Sequence, residues 1–132
     1  MSDSIKYIKE INTDKVFVAL RDDGIGYLYF KDNTELNIEL QLELLNMYNS
    51  LKDKELLPFL IEAGDGFTIT KEARDNAISL EDRSAIKASA VVVNNLAYKI
   101  IANFYLNFNK PKRPYKVFSK REDAVKWLLQ YV

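Results

Sequence analysis

Leu56-Leu57-Pro58-Phe59-Leu60-Ile61 is the stretch on which the fold turns. Six apolar residues in a row that begin with Leu-Leu-Pro are too short for a helix. They read as a strand buried on both faces, with Pro58 at its beginning. Such a strand belongs inside a sheet covered on both sides, so its neighbours have to supply the cover. Upstream, residues 15–21 and 25–31 are two β-rich runs flanking Asp22-Asp23-Gly24, and Asp-Gly is the pair whose positive φ angles suit a tight hairpin turn. Residues 1–14 can add a further strand through Ile5, Tyr7 and Ile8. Between hairpin and buried strand the spacing changes. Leu40, Leu44, Met47, Tyr48 and Leu51 form one stripe of a helix over 37–52, with Ile38, Leu42 and Leu45 as a second stripe beside it. Glu39, Glu43, Asn46 and Ser50 fill the remaining face, so this helix is expected to be only narrowly exposed.

Downstream, Glu62-Ala63-Gly64-Asp65-Gly66 is a loop, after which the Thr70 hydroxyl can cap a helix over 71–79. Glu72 then lies near the positive end of that helix. Residues 86–93 read as another strand, and 95–108 as a helix presenting Ala97, Ile100, Ile101, Phe104 and Phe108 on one side. Pro111 and Pro114 fix a loop before a short strand over 115–118. Ser119-Lys120-Arg121-Glu122 is a capping box that starts the last helix at Lys120, with Ala124, Trp127, Leu128 and Tyr131 as its apolar stripe. The predicted order is β-β-α-β-α-β-α-β-α. It describes an α/β domain: a mixed sheet whose parallel part uses right-handed crossovers, with helices packed against it.

Composition narrows the chemistry. The chain has 132 residues, no His and no Cys, and 19 basic against 19 acidic residues. A domain of this length buries about two thirds of the surface its unfolded chain exposes, so one domain over 1–132 is expected to fold without metal or disulfide. Without imidazole or thiol there is no His base, Cys nucleophile, His-oriented serine triad or Cys/His zinc site. Carboxylate, Lys, Tyr and hydroxyl groups remain, and none falls into a recognisable catalytic motif. The expectation is therefore a protein that is not an enzyme and uses no cofactor. The first residues carry no basic start followed by an apolar stretch, and no run is long enough to span a membrane, which makes the cytoplasm the default compartment.

The tail Lys110-Pro111-Lys112-Arg113-Pro114-Tyr115-Lys116-Val117-Phe118-Ser119, followed by Ala124, Trp127 and Leu128, resembles the end of small bacterial STAS-like proteins related to the anti-sigma-factor antagonists. Thr70-Lys71-Glu72-Ala73-Arg74 and the buried run 88–93 are also similar to that group, and the resemblance extends over roughly residues 15–132 through the order of elements. It implies a STAS-type sheet with helices, used for protein recognition or small-ligand sensing. In the antagonists, a Ser at the start of the helix after a central strand is phosphorylated by a partner kinase within an Asp-Ser-Ser/Thr-Gly-like motif. Here the matching segment is Gly66-Phe67-Thr68-Ile69-Thr70-Lys71, in which Thr70 holds the comparable helix-start position and the motif itself is missing.

Each candidate site has a plainer alternative. A phosphate on Thr70 would sit at a helix N-terminus with Lys71 and Arg74 nearby, whereas a plain N-cap needs only the hydroxyl. Glu62 and Asp65 stand where open α/β sheets place ligand contacts, at the carboxyl end of a buried strand. They do not make the full oxygen set a divalent cation needs, and a solvated loop is the ordinary reading, so no metal is expected. Residues 110–132 carry a net charge of +5 and residues 1–109 a net charge of −5. That polarity suits an acidic protein partner or self-association as a homodimer, while zero overall charge speaks against nucleic acid. Tyr98 and Tyr105 lie off the stripe of Phe104 and Phe108 and are candidates for an interface or ligand. The leading expectation is a regulatory or protein-interaction domain whose surface includes Thr68, Thr70, Lys71 and Arg74. The alternative is an apolar small ligand or lipid held between the sheet and the helix bearing Phe104.

Overall fold

The computed structural model describes residues 4–95 and 111–132. In chain order the elements are β1 (Tyr7–Asn12), β2 (Val16–Arg21), β3 (Gly26–Phe30), β4 (Glu35–Leu36), α1 (Ile38–Leu51), β5 (Leu57–Ala63), β6 (Thr68–Ile69), α2 (Lys71–Glu81), β7 (Ile86–Val92), β8 (Tyr115–Phe118) and α3 (Arg121–Leu128). A 3-10 turn over Leu129–Tyr131 follows α3. The helix expected over 95–108, with Tyr98, Phe104, Tyr105 and Phe108, lies outside the described residues.

Six strands form one mixed sheet in the order β1-β2-β3-β5-β7-β8. The first three are antiparallel neighbours, and β3, β5, β7 and β8 run parallel. As its apolar run requires, β5 is interior and buried on both faces: Phe59 and Leu60 have no exposed surface. Phe59 points to one side with Val18, Leu28, Leu40 and Leu44, under α1. Leu60 points to the other with Ala19, Ala88, Ala90, Ala124 and Leu128, under α3. The alanines on that second face have little side chain, which lets a helix approach the sheet closely. The register between β5 and β7 shifts between Leu57 and Pro58, so the proline, which cannot donate to a ladder, sits at an irregularity. Gly26 on β3 faces the Phe59 ring, whose atoms would lie 2.6 Å from any added Cβ. The same ring meets Tyr48 edge-on at 5.0 Å.

Several sequence expectations change in detail. The β2–β3 turn has positive φ at Gly24 alone (+90°), not at an Asp-Gly pair. The Gly24 amide donates to Arg21 O, and Asp23 accepts two bonds from the buried Arg21 guanidinium, so a three-residue loop closes the hairpin. The extra N-terminal strand exists, but its register shifts between Tyr7 and Lys9. Ile8 is left 68% exposed, and Ile11 is the residue that packs on the core. Helix α1 buries Leu40, Leu44 and Leu51 as expected, but Leu42 of the second stripe is 41% exposed. Helix α2 continues two residues past the expected end because Leu80 is buried and the Glu81 carboxylate accepts from the Lys112 and Arg113 amides. Helix α3 starts at Arg121, with Lys120 and not Ser119 as N-cap and no side-chain cap bond. Glu122 and Asp123 in its first turn face the positive helix end instead.

The strands β4 and β6, absent from the sequence reading, pair in parallel as a separate two-stranded ribbon. They exist because the loops after β3 and β5 run side by side. The amide of Gly64 donates to Phe30 O, that of Asn33 to Asp65 O, that of Thr68 to Thr34 O and that of Thr70 to Leu36 O. At Gly64 the zipper needs the missing β-carbon: one there would lie 2.0 Å from Asp32 Oδ1 and 3.0 Å from the Asp32 amide nitrogen. Gly64→Ala is therefore expected to lower unfolding free energy by about 1–3 kcal/mol in urea titrations. Wild-type stability in that variant would show that the zipper does not hold the ribbon.

Candidate functional site

All four parallel strands end at one edge of the sheet, where open α/β sheets place binding residues. The ribbon and the start of α2 stand there. Thr70 is the N-cap of α2: its hydroxyl accepts from the Ala73 amide at 3.1 Å, and its backbone is extended. This is the capping geometry expected from the sequence, and its hydroxyl is half-buried in that role. Thr68 and Ile69 lie on β6 and are both exposed, Ile69 by 41%. Lys71 is exposed and pairs with Asp75 one turn along at 3.0 Å, and Arg74 points to solvent from the second turn. Thr68, Lys71 and Arg74 are exposed near the start of α2, while Thr70 is half-buried in its capping role.

Glu62 and Asp65, which the sequence places together, diverge. Asp65 is exposed and serves the zipper through its backbone, its amide donating to Asp32 Oδ1. Glu62 turns the other way, toward α3, where Arg121 grips it in a two-pronged ion pair: Nε to Oε2 at 2.9 Å and Nη2 to Oε1 at 2.5 Å. The Tyr27 hydroxyl donates to Oε1 at 2.7 Å, and the Arg121 guanidinium lies 5.9 Å from the Tyr27 ring centre. Tyr7 stacks on Tyr27 and Phe17 meets both edge-on, completing an aromatic wall. Among the described residues no group of three or more His, Cys, Asp or Glu side chains converges.

Burial works to raise the Glu62 carboxyl, but the Arg121 and Tyr27 hydrogen bonds and the Arg121 charge outweigh it and hold Glu62 below 4.5. Burial, reinforced by the bond to Glu62 and its charge, pushes the Tyr27 phenol well up. The Glu62 bond raises Arg121 in turn. At neutral pH the cluster is an ionised carboxylate locked between a cation and a neutral phenol, which suits it to fastening α3 onto the sheet. Sequence reading missed it because Arg121 is hidden inside a basic run. The usable signal was topological: a helix entered from the last parallel strand starts beside the end of β5.

The basic run is partly consumed in the same manner. Lys112 and Arg113 donate their amides to Glu81, and Arg113 Nη1 bonds Ser84 O and Ile86 O. Phe118 packs against Trp127 at 5.7 Å, as its apolar surroundings suggest.

Because the Glu62 carboxyl titrates lower when folded than when unfolded, its stabilisation is present above about 4.5 and is lost as pH falls through the folded value. Glu62→Gln keeps the shape and removes the titration. The variant is expected to be less stable by about 1–2 kcal/mol at neutral pH, the half-exposed Arg121 limiting the value. Urea unfolding followed by Trp127 emission checks this, and the gap to wild type should close as pH drops below 4.5. A gap independent of pH would refute the ionised clamp.

A profile for a family described as a domain of unknown function, DUF7793, matches residues 18–132. No curated protein matches the chain. Among solved structures, an uncharacterized protein of the DUF3478 family from Shewanella loihica PV-4, described as having a SpoIIAA-like fold, is similar with a TM-score of 0.56 and 17% identity. The likeness covers 94% of this chain and 93% of that one. A protein of unknown function from Arthrobacter sp. FB24 is 20% identical over 90% of this chain and 96% of its own, with a TM-score of 0.30. The SpoIIAA-like, that is STAS-like, architecture that the sequence resembles is thus the fold observed. With most of its length spanned by that profile, the chain belongs to the DUF7793 family.

Proposed function

We propose that this domain works by recognition: a non-enzymatic regulatory or protein-interaction domain of STAS-like type, whose partner surface is the β4–β6 ribbon and the first turns of α2. The observation that carries the reading is Ile69. This large apolar residue is 41% exposed on a ribbon held by four backbone hydrogen bonds, with Thr68, Lys71 and Arg74 exposed close by in the chain. An apolar anchor on a preorganised support, ringed by polar and charged groups, has the make-up of an interface centre, since little ordering entropy is lost when it is covered.

Absence of catalysis is supported by the residue types. The chain has no His and no Cys, and the half-buried Glu62 is already neutralised by Arg121, which leaves it poorly suited to proton transfer. Thr70 can be a phosphorylation switch only at the expense of its capping bond to Ala73, unless a phosphate oxygen replaces it.

Affinity capture from the native host with matched variants tests the surface. Ile69→Asp and Arg74→Glu are expected to lose a partner that wild type retains, while Lys126→Glu on α3 keeps it. Equal recovery by all three would reject the surface. Thr70→Asp preserves the cap and Thr70→Ala costs about 1 kcal/mol of stability. Identical partner recovery by both would remove Thr70 from the account.

A further inference from the structure

Between α1, α2 and the starts of β7 and β8 lies a cavity of about 210 Å³. Among the described residues its walls are mainly apolar, with Leu44 and Leu45 from α1, Ile78 from α2 and Ile86 from β7. Tyr48 also lines it. That residue sits deep enough for burial to push its phenol well up, yet it keeps some accessible surface, as a side chain opening onto a cavity does. The Tyr48 hydroxyl makes no hydrogen bond among the described residues, and because no fully buried side-chain oxygen there lacks a partner, it keeps accessible surface and is free to donate. Its ring packs edge-on against Phe59 at 5.0 Å, which sets where the hydroxyl sits.

The mouth is charged. Both Glu81 oxygens accept from the Lys112 and Arg113 amides, so its lone pairs are engaged within the protein. The Arg113 guanidinium is pinned at the same place by the Ser84 and Ile86 carbonyls. A half-open, mainly apolar cavity with one free donor, and with a pinned cation beside Glu81 at its rim, has the composition of a small-molecule site.

We propose that this cavity binds a short aliphatic carboxylate, its chain among Leu44, Leu45, Ile78 and Ile86, and its head group within reach of Tyr48 and Arg113. The proposal does not rest on the recognition reading, although the cavity shares Leu36 of β4 with the ribbon. Sodium octanoate is the probe, titrated into the whole protein by calorimetry and followed by amide chemical shifts. Saturable binding with shifts centred on α1 and α2 is expected. Ala77→Phe, which places a ring in the chamber, is expected to abolish it. Tyr48→Phe should weaken it roughly five- to tenfold, the effect of one hydrogen bond, with an unchanged unfolding midpoint because no bond within the protein is lost. Absence of saturable binding, or equal affinity in wild type and Tyr48→Phe, would overturn the proposal. Octanol binding as tightly as octanoate would overturn the carboxylate class by removing Arg113 from it.

Discussion

Taking both faces of one strand out of water is the constraint from which the rest of this structure follows. Phe59 and Leu60 have no exposed surface, and each contributes about 1.5–3 kcal/mol relative to an exposed side chain. That gain is available only if separate layers cover the two faces. Helix α1 covers one, with α2 packed against α1, and α3, arriving from β8, covers the other. The sheet's carboxyl edge then becomes the place where all the loops meet.

Two features divide that edge between them. On one side the Gly64 zipper turns what would be free loops into a stiff ribbon carrying Ile69. On the other, Glu62 leaves the loop and ties α3 down through Arg121. Rigidity on both sides favours a surface that is met as it stands, because ordering costs are already met in folding. The same arrangement disfavours Glu62 as a reactive group, since its charge is spent inside the molecule.

Much of the layered architecture was legible in the chain. The continuous run at 56–61 announced a doubly covered strand, and the three-to-four spacing of Leu40, Leu44 and Leu51 announced a helix beneath it. Thr70 was readable as a cap because a hydroxyl three residues before Ala73 is a local signal. What failed to show was non-local. The β4–β6 ribbon depends on backbone bonds between residues about thirty positions apart, carried by two-residue segments too short for any periodicity. The Glu62–Arg121–Tyr27 cluster joins three elements whose neighbourhood is decided only by strand order. At α3 a convincing local pattern lost to tertiary contacts: Ser119 and Glu122 match a capping box, yet the helix begins one residue later, with Arg121 in its first turn gripping Glu62.

The missing side chain on β3 reaches further than its own strand. Gly26 leaves room for the Phe59 ring, and Phe59 in turn is the floor against which Tyr48 rests. A methyl group at position 26 would drive that floor toward α1 and crowd the hollow behind it. The size of the interhelical cavity is thereby tied to a hairpin residue that does not line it.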